Sequence, residues 1–138
     1  MVLVANDKCS VQTLLDDLQI DNSSTSDDII YEFDLQTPEG IPYKCTMSIY
    51  DNLLLLVITY PWIVNTCKKT EMLICLNNIN RELHSGCLEF DQQRRMLQYR
   101  TSLVLTDSTP TVNRMKKIYV QAVNEAMKYV DTLRGFSI

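Results

Sequence analysis

The sequence predicts an α+β domain in which an antiparallel sheet packs against helices. Two neighbouring stretches alternate apolar and polar residues across a turn, which is typical of antiparallel strands. The chain closes on a long segment whose apolar residues recur at helical spacing. No strand pattern is followed by the helix and second strand of a parallel βαβ unit. The predicted order of elements is α-βββ-α-ββ-α.

Size and composition indicate one domain that spans residues 1–138, with a loosely ordered N-terminus at residues 1–9. The chain has 138 residues, of which 46% are hydrophobic and 22% charged, as in ordinary globular domains. The longest apolar run, Leu53–Ile58, is far shorter than the roughly 20 residues that span a bilayer. We therefore expect no membrane segment, and the N-terminal residues show no secretory signal.

The first half of the chain is predicted to form a short helix, a polar loop and three strands. Ser10 is a candidate N-cap for a helix that ends at Leu18, and Asp21–Asp28 has the composition of a loop. The strands are Ile29–Leu35, Tyr43–Tyr50 and Leu53–Tyr60. The third strand is apolar on both faces, so both faces need cover. Pro61 is expected to end it, because proline cannot donate to the ladder.

The second half is predicted to form a helix, a hairpin and a final helix. The first helix, Thr66–Ser85, is expected to stop at Gly86. The hairpin pairs Cys87–Asp91 with Met96–Leu105 across the polar turn Gln92–Arg95, and the final helix is Pro110–Arg134.

Cysteines and charge narrow the class of protein. The five cysteines are odd in number and form no C-x-x-C, which favours reduced core cysteines and a cytoplasmic protein. Residues 1–42 carry nine acids and one base, whereas residues 43–138 carry eight acids and twelve bases. This spread argues against a nucleic-acid partner, which needs a concentrated basic face.

No residue pattern in the sequence points to a reaction. His84 is the one histidine, and there is no zinc-ligand spacing or glycine-rich phosphate loop. We therefore predict no enzyme activity, no cofactor and no metal. The alternative is a small-ligand-binding or enzymatic domain with a pocket near the second hairpin, lined by Tyr99, Arg100 and Glu89.

Apolar surface is the feature that points to function. An eight-residue strand that is apolar on both faces, followed by Trp62, implies more burial than one layer of helices gives. Either helices of this chain cover both faces, or a second subunit or partner covers one. A third possibility is a subunit that works only inside a larger complex. The candidate partner-binding residues are Tyr50, Leu54, Leu56, Ile58, Tyr60 and Trp62.

The helix-to-hairpin segment resembles that of the YbjN-like proteins. The segment runs Asn80-Arg81-Glu82-Leu83-His84-Ser85-Gly86-Cys87-Leu88-Glu89-Phe90-Asp91, followed by Met96–Leu105 with Tyr99-Arg100. YbjN-like proteins share the α-βββ-α-ββ-α layout with bacterial type III secretion chaperones. The resemblance implies a chaperone-like fold and a small homodimer that binds other polypeptides through apolar surface without catalysis. Here Gln92-Gln93 takes the place of the Asp-Gly turn expected in that family.

Overall fold

Six antiparallel strands form one sheet in the computed structural model, which describes residues 13–16, 18, 22–24, 30–50, 53–104 and 112–138. The strands are β1 (Asn22–Ser24), β2 (Ile30–Leu35), β3 (Tyr43–Tyr50), β4 (Leu53–Ile63), β5 (Gly86–Asp91) and β6 (Met96–Val104). Their order across the sheet is β1-β2-β3-β4-β6-β5. The helices are α1 (Lys69–Asn80), which follows a 3-10 turn at Thr66–Lys68, α2 (Val112–Lys128) and α3 (Val130–Arg134). Residues 13–16 are also helical, so the predicted α+β class and element order are confirmed, with β1 added.

One face of the sheet, here called the inner face, packs against the helices and forms the core. Its buried residues include Tyr31, Phe33, Tyr43, Cys45, Met47, Leu54, Leu56, Ile58, Tyr60, Leu88, Leu97, Tyr99 and Thr101. The helices contribute Leu14, Leu15, Met72, Leu76, Ile79, Met115, Tyr119, Ala122, Ala126, Val130 and Leu133. The rings of Phe33 and Tyr119 lie 6.2 Å apart, which places α2 directly on this face.

The opposite, outer face carries the alternate residues of the strands. On β4 these are Leu53, Leu55 and Val57, which are half-buried and do not belong to the core cluster of described residues. On β2 they are Ile30, Glu32 and Asp34, all exposed. Within the described residues, the core therefore lies on one side of the sheet.

Two predictions about strands are wrong. The predicted loop Asp21–Asp28 contains β1, whose Asn22 and Ser24 pair with Phe33 and Tyr31. Ladder hydrogen bonds to β2 outweigh the low strand propensity of these polar residues. Pro61 does not end β4, because the strand continues to Ile63. The register to β6 shifts between Thr59 and Ile63, and such an irregularity accommodates a residue that has no N–H.

The predicted helix Thr66–Ser85 is also wrong in extent. It begins with the 3-10 turn, where the side chain of Asn65 accepts from the N–H of Cys67, and α1 ends at Asn80. Residues 81–85 are a turn, and Gly86 opens β5 instead of stopping a helix. The hairpin of β5 and β6 is confirmed.

The predicted ends of two other elements, the turn at Gly40 and the last helix, agree with the structure. Gly40 has a φ of 78° and its N–H donates to the carbonyl of Thr37 at 2.9 Å, as the predicted turn requires. The last helix ends at Arg134 as predicted, although a break at Tyr129 divides it. Residues 1–9, the candidate N-cap Ser10 and the start of the last helix at Pro110 lie outside the described residues.

Candidate functional site

Four of the six predicted partner-binding residues lie in the core of this one chain. Leu54, Leu56, Ile58 and Tyr60 are at most 5% exposed, since they occupy the inner face of β4 beneath the helices. The backbone of Tyr50 pairs with Leu53 at the end of β3, and its side chain is outside the description. A role of these residues in partner binding stays a prediction. The apolar row of β4 that is not part of the core is the opposite one.

Trp62 belongs to an aromatic cluster at the end of β4. Its ring lies 5.6 Å from that of Tyr60 and 6.0 Å from that of Tyr43. The Arg134 guanidinium lies 5.3 Å above the Trp62 ring and donates to Glu39 at 2.6 Å. A cation stacked on an aromatic face is favourable, so Trp62 is held between β3 and the end of α3.

Tyr60 joins this cluster to α2. Its hydroxyl donates to the carbonyl of Ala126 at 2.7 Å. Burial raises the pKa of the Tyr60 hydroxyl far above its ordinary value. The residue is therefore a neutral structural group within the core.

The three residues of the alternative ligand pocket do not converge, so that part of the alternative is wrong. Tyr99 lies on the inner face and is fully buried. Arg100 and Glu89 lie on the outer face, where the guanidinium and carboxylate are 3.7 Å apart. Neighbouring residues on one strand point to opposite faces, which is why Tyr99 and Arg100 cannot share a pocket.

Tyr99 instead contacts Glu125 on α2. Its hydroxyl donates to the Glu125 carboxylate at 2.6 Å. The same carboxylate accepts from the backbone N–H of Gly86 at 3.1 Å and of His84 at 3.3 Å. One side chain thus ties the last long helix to β6 and to the turn between α1 and β5.

These contacts determine the protonation of both partners. Burial raises the pKa of Glu125, but hydrogen bonds from the Tyr99 hydroxyl and from backbone N–H groups outweigh burial, so the pKa is lowered overall. Burial, followed by the adjacent Glu125, raises the pKa of Tyr99 far above its ordinary value. The pair is accordingly a carboxylate that accepts from a neutral hydroxyl.

An apolar cleft lies between α2 and the inner face of the sheet. It is lined by Leu14, Met47, Leu54, Leu56, Thr101, Ser102, Leu103, Met115, Ile118 and Tyr119. The Thr101 hydroxyl already donates to the carbonyl of Ser85 at 2.8 Å. The lining therefore offers mainly apolar contact and carries no pair of charged groups among the residues described.

Among the described residues, no three His, Cys, Asp or Glu side chains lie together as a metal site would need. No described helix combines the length and apolarity needed to cross a membrane.

Apolar surfaces outside the core cluster of the described residues include a half-buried row on the sheet and an exposed pair on α1. The first is the row of Leu53, Leu55 and Val57 on the outer face, here called the outer row. It is continued by Val104, which is paired with Leu53 and 67% exposed. The second is the solvent side of α1, where Leu73 and Ile74 are 45% and 59% exposed.

The chain is similar to solved structures but matches no known sequence family. No protein-family model matches the sequence, and no curated protein sequence matches it. The structure is similar to YbjN from E. coli over 88% of this chain and 87% of that chain, with 15% identity and a TM-score of 0.66. A chain of the ExoU–SpcU complex, from the type III secretion system of Pseudomonas aeruginosa, matches 88% of this chain over 95% of its own length, at 17% identity and a TM-score of 0.57.

A third neighbour comes from the HopA1–SchA chaperone–effector complex. It covers 90% of this chain and 95% of its own, with 15% identity and a TM-score of 0.59. The chain has the YbjN-like, type III secretion chaperone-like fold. The resemblance in the helix-to-hairpin segment is therefore confirmed for the fold.

Sequence reasoning missed Glu125 and the side-chain role of Asn80. Glu125 is the one acid within Val112–Lys128, a segment with four bases, and it follows the buried stripe position Ala122 by three residues. A lone acid at the border of an apolar stripe was the available signal. Nothing in the sequence identified the N–H groups to which it binds.

Proposed function

We propose that this chain is a non-catalytic, chaperone-like module that binds another polypeptide through apolar surface and acts as a homodimer. The observation that carries the proposal is the outer row, a line of large apolar residues along β4 that lies outside the core cluster of described residues. Apolar rows of this kind, rimmed by polar side chains, are typical of protein-binding surfaces.

The surroundings of the outer row suit an amphipathic segment. The row is flanked on β3 by Thr46 and Ser48 and on β6 by Ser102 and Arg100, which are the cross-strand neighbours in the register. A polypeptide that lays two or three apolar side chains along β4 would keep hydrogen-bonding groups within reach on both sides.

Neighbours of the same fold support a protein partner. The HopA1–SchA structure is a chaperone–effector complex and the ExoU–SpcU structure is a heterodimer. The described cysteines Cys45, Cys67, Cys75 and Cys87 are all free thiols, which supports a reducing, cytoplasmic location.

For the homodimer we propose the solvent side of α1 as the contact. Leu73 and Ile74 stand next to one another there with Asn77 and Asn78 one turn on. A two-fold axis across this helix would bring both pairs of apolar residues together, since an isologous contact uses the same patch twice.

Light scattering after size exclusion tests the dimer. The wild-type protein is expected at twice the mass of one chain, and Ile74→Asp is expected at the mass of a single chain. The matched control, Asn124→Asp, adds the same charge at an exposed position of a different helix, α2. A wild-type protein that is monomeric throughout a concentration series would rule the homodimer out.

An array of overlapping peptides tests polypeptide binding. Wild-type protein is expected to retain a subset rich in apolar residues, and Val57→Asp is expected to lose it. Asn124→Asp, at an exposed position of α2, is the control, and circular dichroism verifies the fold of each variant. Equal retention by Val57→Asp and by the control would exclude the outer row as the binding surface.

A further inference from the structure

β5 is an edge strand, and its outer edge is occupied by side chains. The order β1-β2-β3-β4-β6-β5 places β5 at one end of the sheet. An edge strand normally presents unpaired N–H and C=O groups to which another strand can add. In this chain three of those groups, the N–H of Gly86 and the N–H and C=O of Leu88, have side-chain partners from two helices.

The first partner is the carboxamide of Asn80, the last residue of α1. Its oxygen accepts from the N–H of Leu88 at 2.7 Å, and its nitrogen donates to the carbonyl of Leu88 at 3.0 Å. A carboxamide supplies one acceptor and one donor. Asn80 therefore occupies both ladder groups of Leu88 as one residue of a neighbouring antiparallel strand would.

The second partner is the carboxylate of Glu125. In an antiparallel pair, alternate residues direct their N–H and C=O groups to the same side. Gly86 thus faces away from β6 as Leu88 does, and its N–H donates to Glu125 at 3.1 Å. Both side chains lie where the next strand would run.

We propose that Asn80 and Glu125 close the β5 edge against strand addition, and that the strand which would add to the opened edge is β5 of a second copy. The proposal is independent of the proposed function, because neither the outer row nor the exposed side of α1 takes part in it.

The sequence of β5 favours pairing with β5 of a second copy of the chain. In an antiparallel pair of β5 strands centred on Leu88, each Leu88 lies opposite its equivalent and Gly86 lies opposite Phe90, where the absent side chain leaves room for the ring. Glu89 lies opposite Cys87 of the other copy and not opposite a second carboxylate. Cross-strand pairs without like charges are the favourable ones.

Sedimentation velocity in reducing buffer tests the proposal. Asn80→Ala is expected to give species larger than the wild-type protein, whose share rises with concentration. The control Asn124→Ala, at an exposed position of α2, is expected to keep the wild-type mass.

A second substitution identifies β5 as the strand that pairs. In the Asn80→Ala background, Cys87→Glu would place a carboxylate opposite Glu89 of the second copy, while in its own chain it faces Arg100. Asn80→Ala/Cys87→Glu is therefore expected to return to the wild-type mass, whereas Asn80→Ala/Cys87→Ser keeps the larger species. A folded Asn80→Ala protein that keeps the wild-type mass overturns the proposal, and so does a larger species that Cys87→Glu does not reduce.

Hydrogen exchange on the wild-type protein provides a test that needs no variant. The amide of Leu88 is expected to exchange as slowly as the paired amides of β6, although β5 is an edge strand. Exchange of this amide at the rate of an unstructured peptide would show that the edge is open and would overturn the proposal. If Asn80→Ala does not fold, Asn80→Asp takes its place in the mass measurement, because it keeps the volume and the acceptor but removes the donor to the Leu88 carbonyl.

Discussion

The contact between Tyr99 and Glu125 is open to a direct energetic test. Glu125→Ala removes the carboxylate that accepts from the Tyr99 hydroxyl and from the N–H of Gly86. Tyr99→Phe removes the hydroxyl alone. Measured together with the double variant, the two substitutions separate the contribution of the contact from that of each side chain.

The expected sizes follow from the burial of the groups left behind. Tyr99 is fully buried, so in Glu125→Ala its hydroxyl has no access to water, at a cost of about 1–3 kcal/mol. The N–H of Gly86 is partly buried and adds ~1 kcal/mol, whereas His84 is exposed and water replaces its partner. We expect the free energy of unfolding to fall by about 2–4 kcal/mol in Glu125→Ala and by ~1 kcal/mol in Tyr99→Phe.

Urea denaturation of the four proteins at pH 7 measures these values. The double variant carries no orphaned hydroxyl, so its loss is expected to be smaller than the sum of the single losses by about 1–2 kcal/mol. Asn124→Ala, at the preceding exposed position of α2, is the control for helix propensity. Additivity within about 0.5 kcal/mol would refute the assigned role of the contact.

The same contact predicts a pH dependence with a definite sign. The pKa of Glu125 in the folded protein is lowered, so the unfolded chain binds the proton more readily. The stabilisation is therefore complete above the unfolded pKa of roughly 4.3 and is lost as the pH falls through the folded value. The coupling between Tyr99 and Glu125 is expected to be constant from about pH 7 to about pH 5 and to shrink at lower pH.

Three further predictions concern the core and the thiols. Gly86→Ala would place a methyl carbon 2.6 Å from the ring of Tyr99 and 2.5 Å from a carbonyl oxygen of β6. We therefore expect the free energy of unfolding, measured with urea, to fall by about 1–3 kcal/mol. An unchanged urea midpoint would contradict this. Tyr60→Phe leaves a buried carbonyl of α2 without its donor. The free energy of unfolding is expected to fall by ~1 kcal/mol, as measured by thermal or urea unfolding. An unchanged value would show that water reaches the carbonyl. Burial, followed by the negative charge of Asp34, raises the pKa of Cys45 to about 12. A thiol reagent is therefore expected to modify exposed Cys67 in the native protein and Cys45 only after unfolding. Equal modification rates for the two thiols would show that the core opens.

The turn of the second hairpin shows how a departure in sequence was accommodated. The sequence has no Asp-Gly pair here, and Arg95 takes a φ of 56° in its place. The Asp91 carboxylate accepts from the N–H groups of Gln93 and Arg94 and from the Arg94 guanidinium. These bonds hold a turn in which a residue with a side chain adopts the left-handed conformation that glycine tolerates best.

Features that depend on periodicity could be predicted from the sequence alone. Alternation predicted which residues of β2 and β3 face the core. Spacings of three and four predicted the buried stripe of α2, and Met115, Tyr119, Ala122 and Ala126 are buried as that stripe requires. Periodicity is a local property, because side-chain direction follows from the backbone of the same element.

Features that depend on contacts between distant residues could be read only from the folded chain. β4 is apolar on both faces, so its sequence could not say which face enters the core, and the helices settled this by packing on Leu56 and not on Leu55. The role of Gly86 depends on a carboxylate 39 residues away in the chain. Hydrogen bonds from a side chain to the backbone of a distant element depend on the relative placement of whole elements, which no local pattern records.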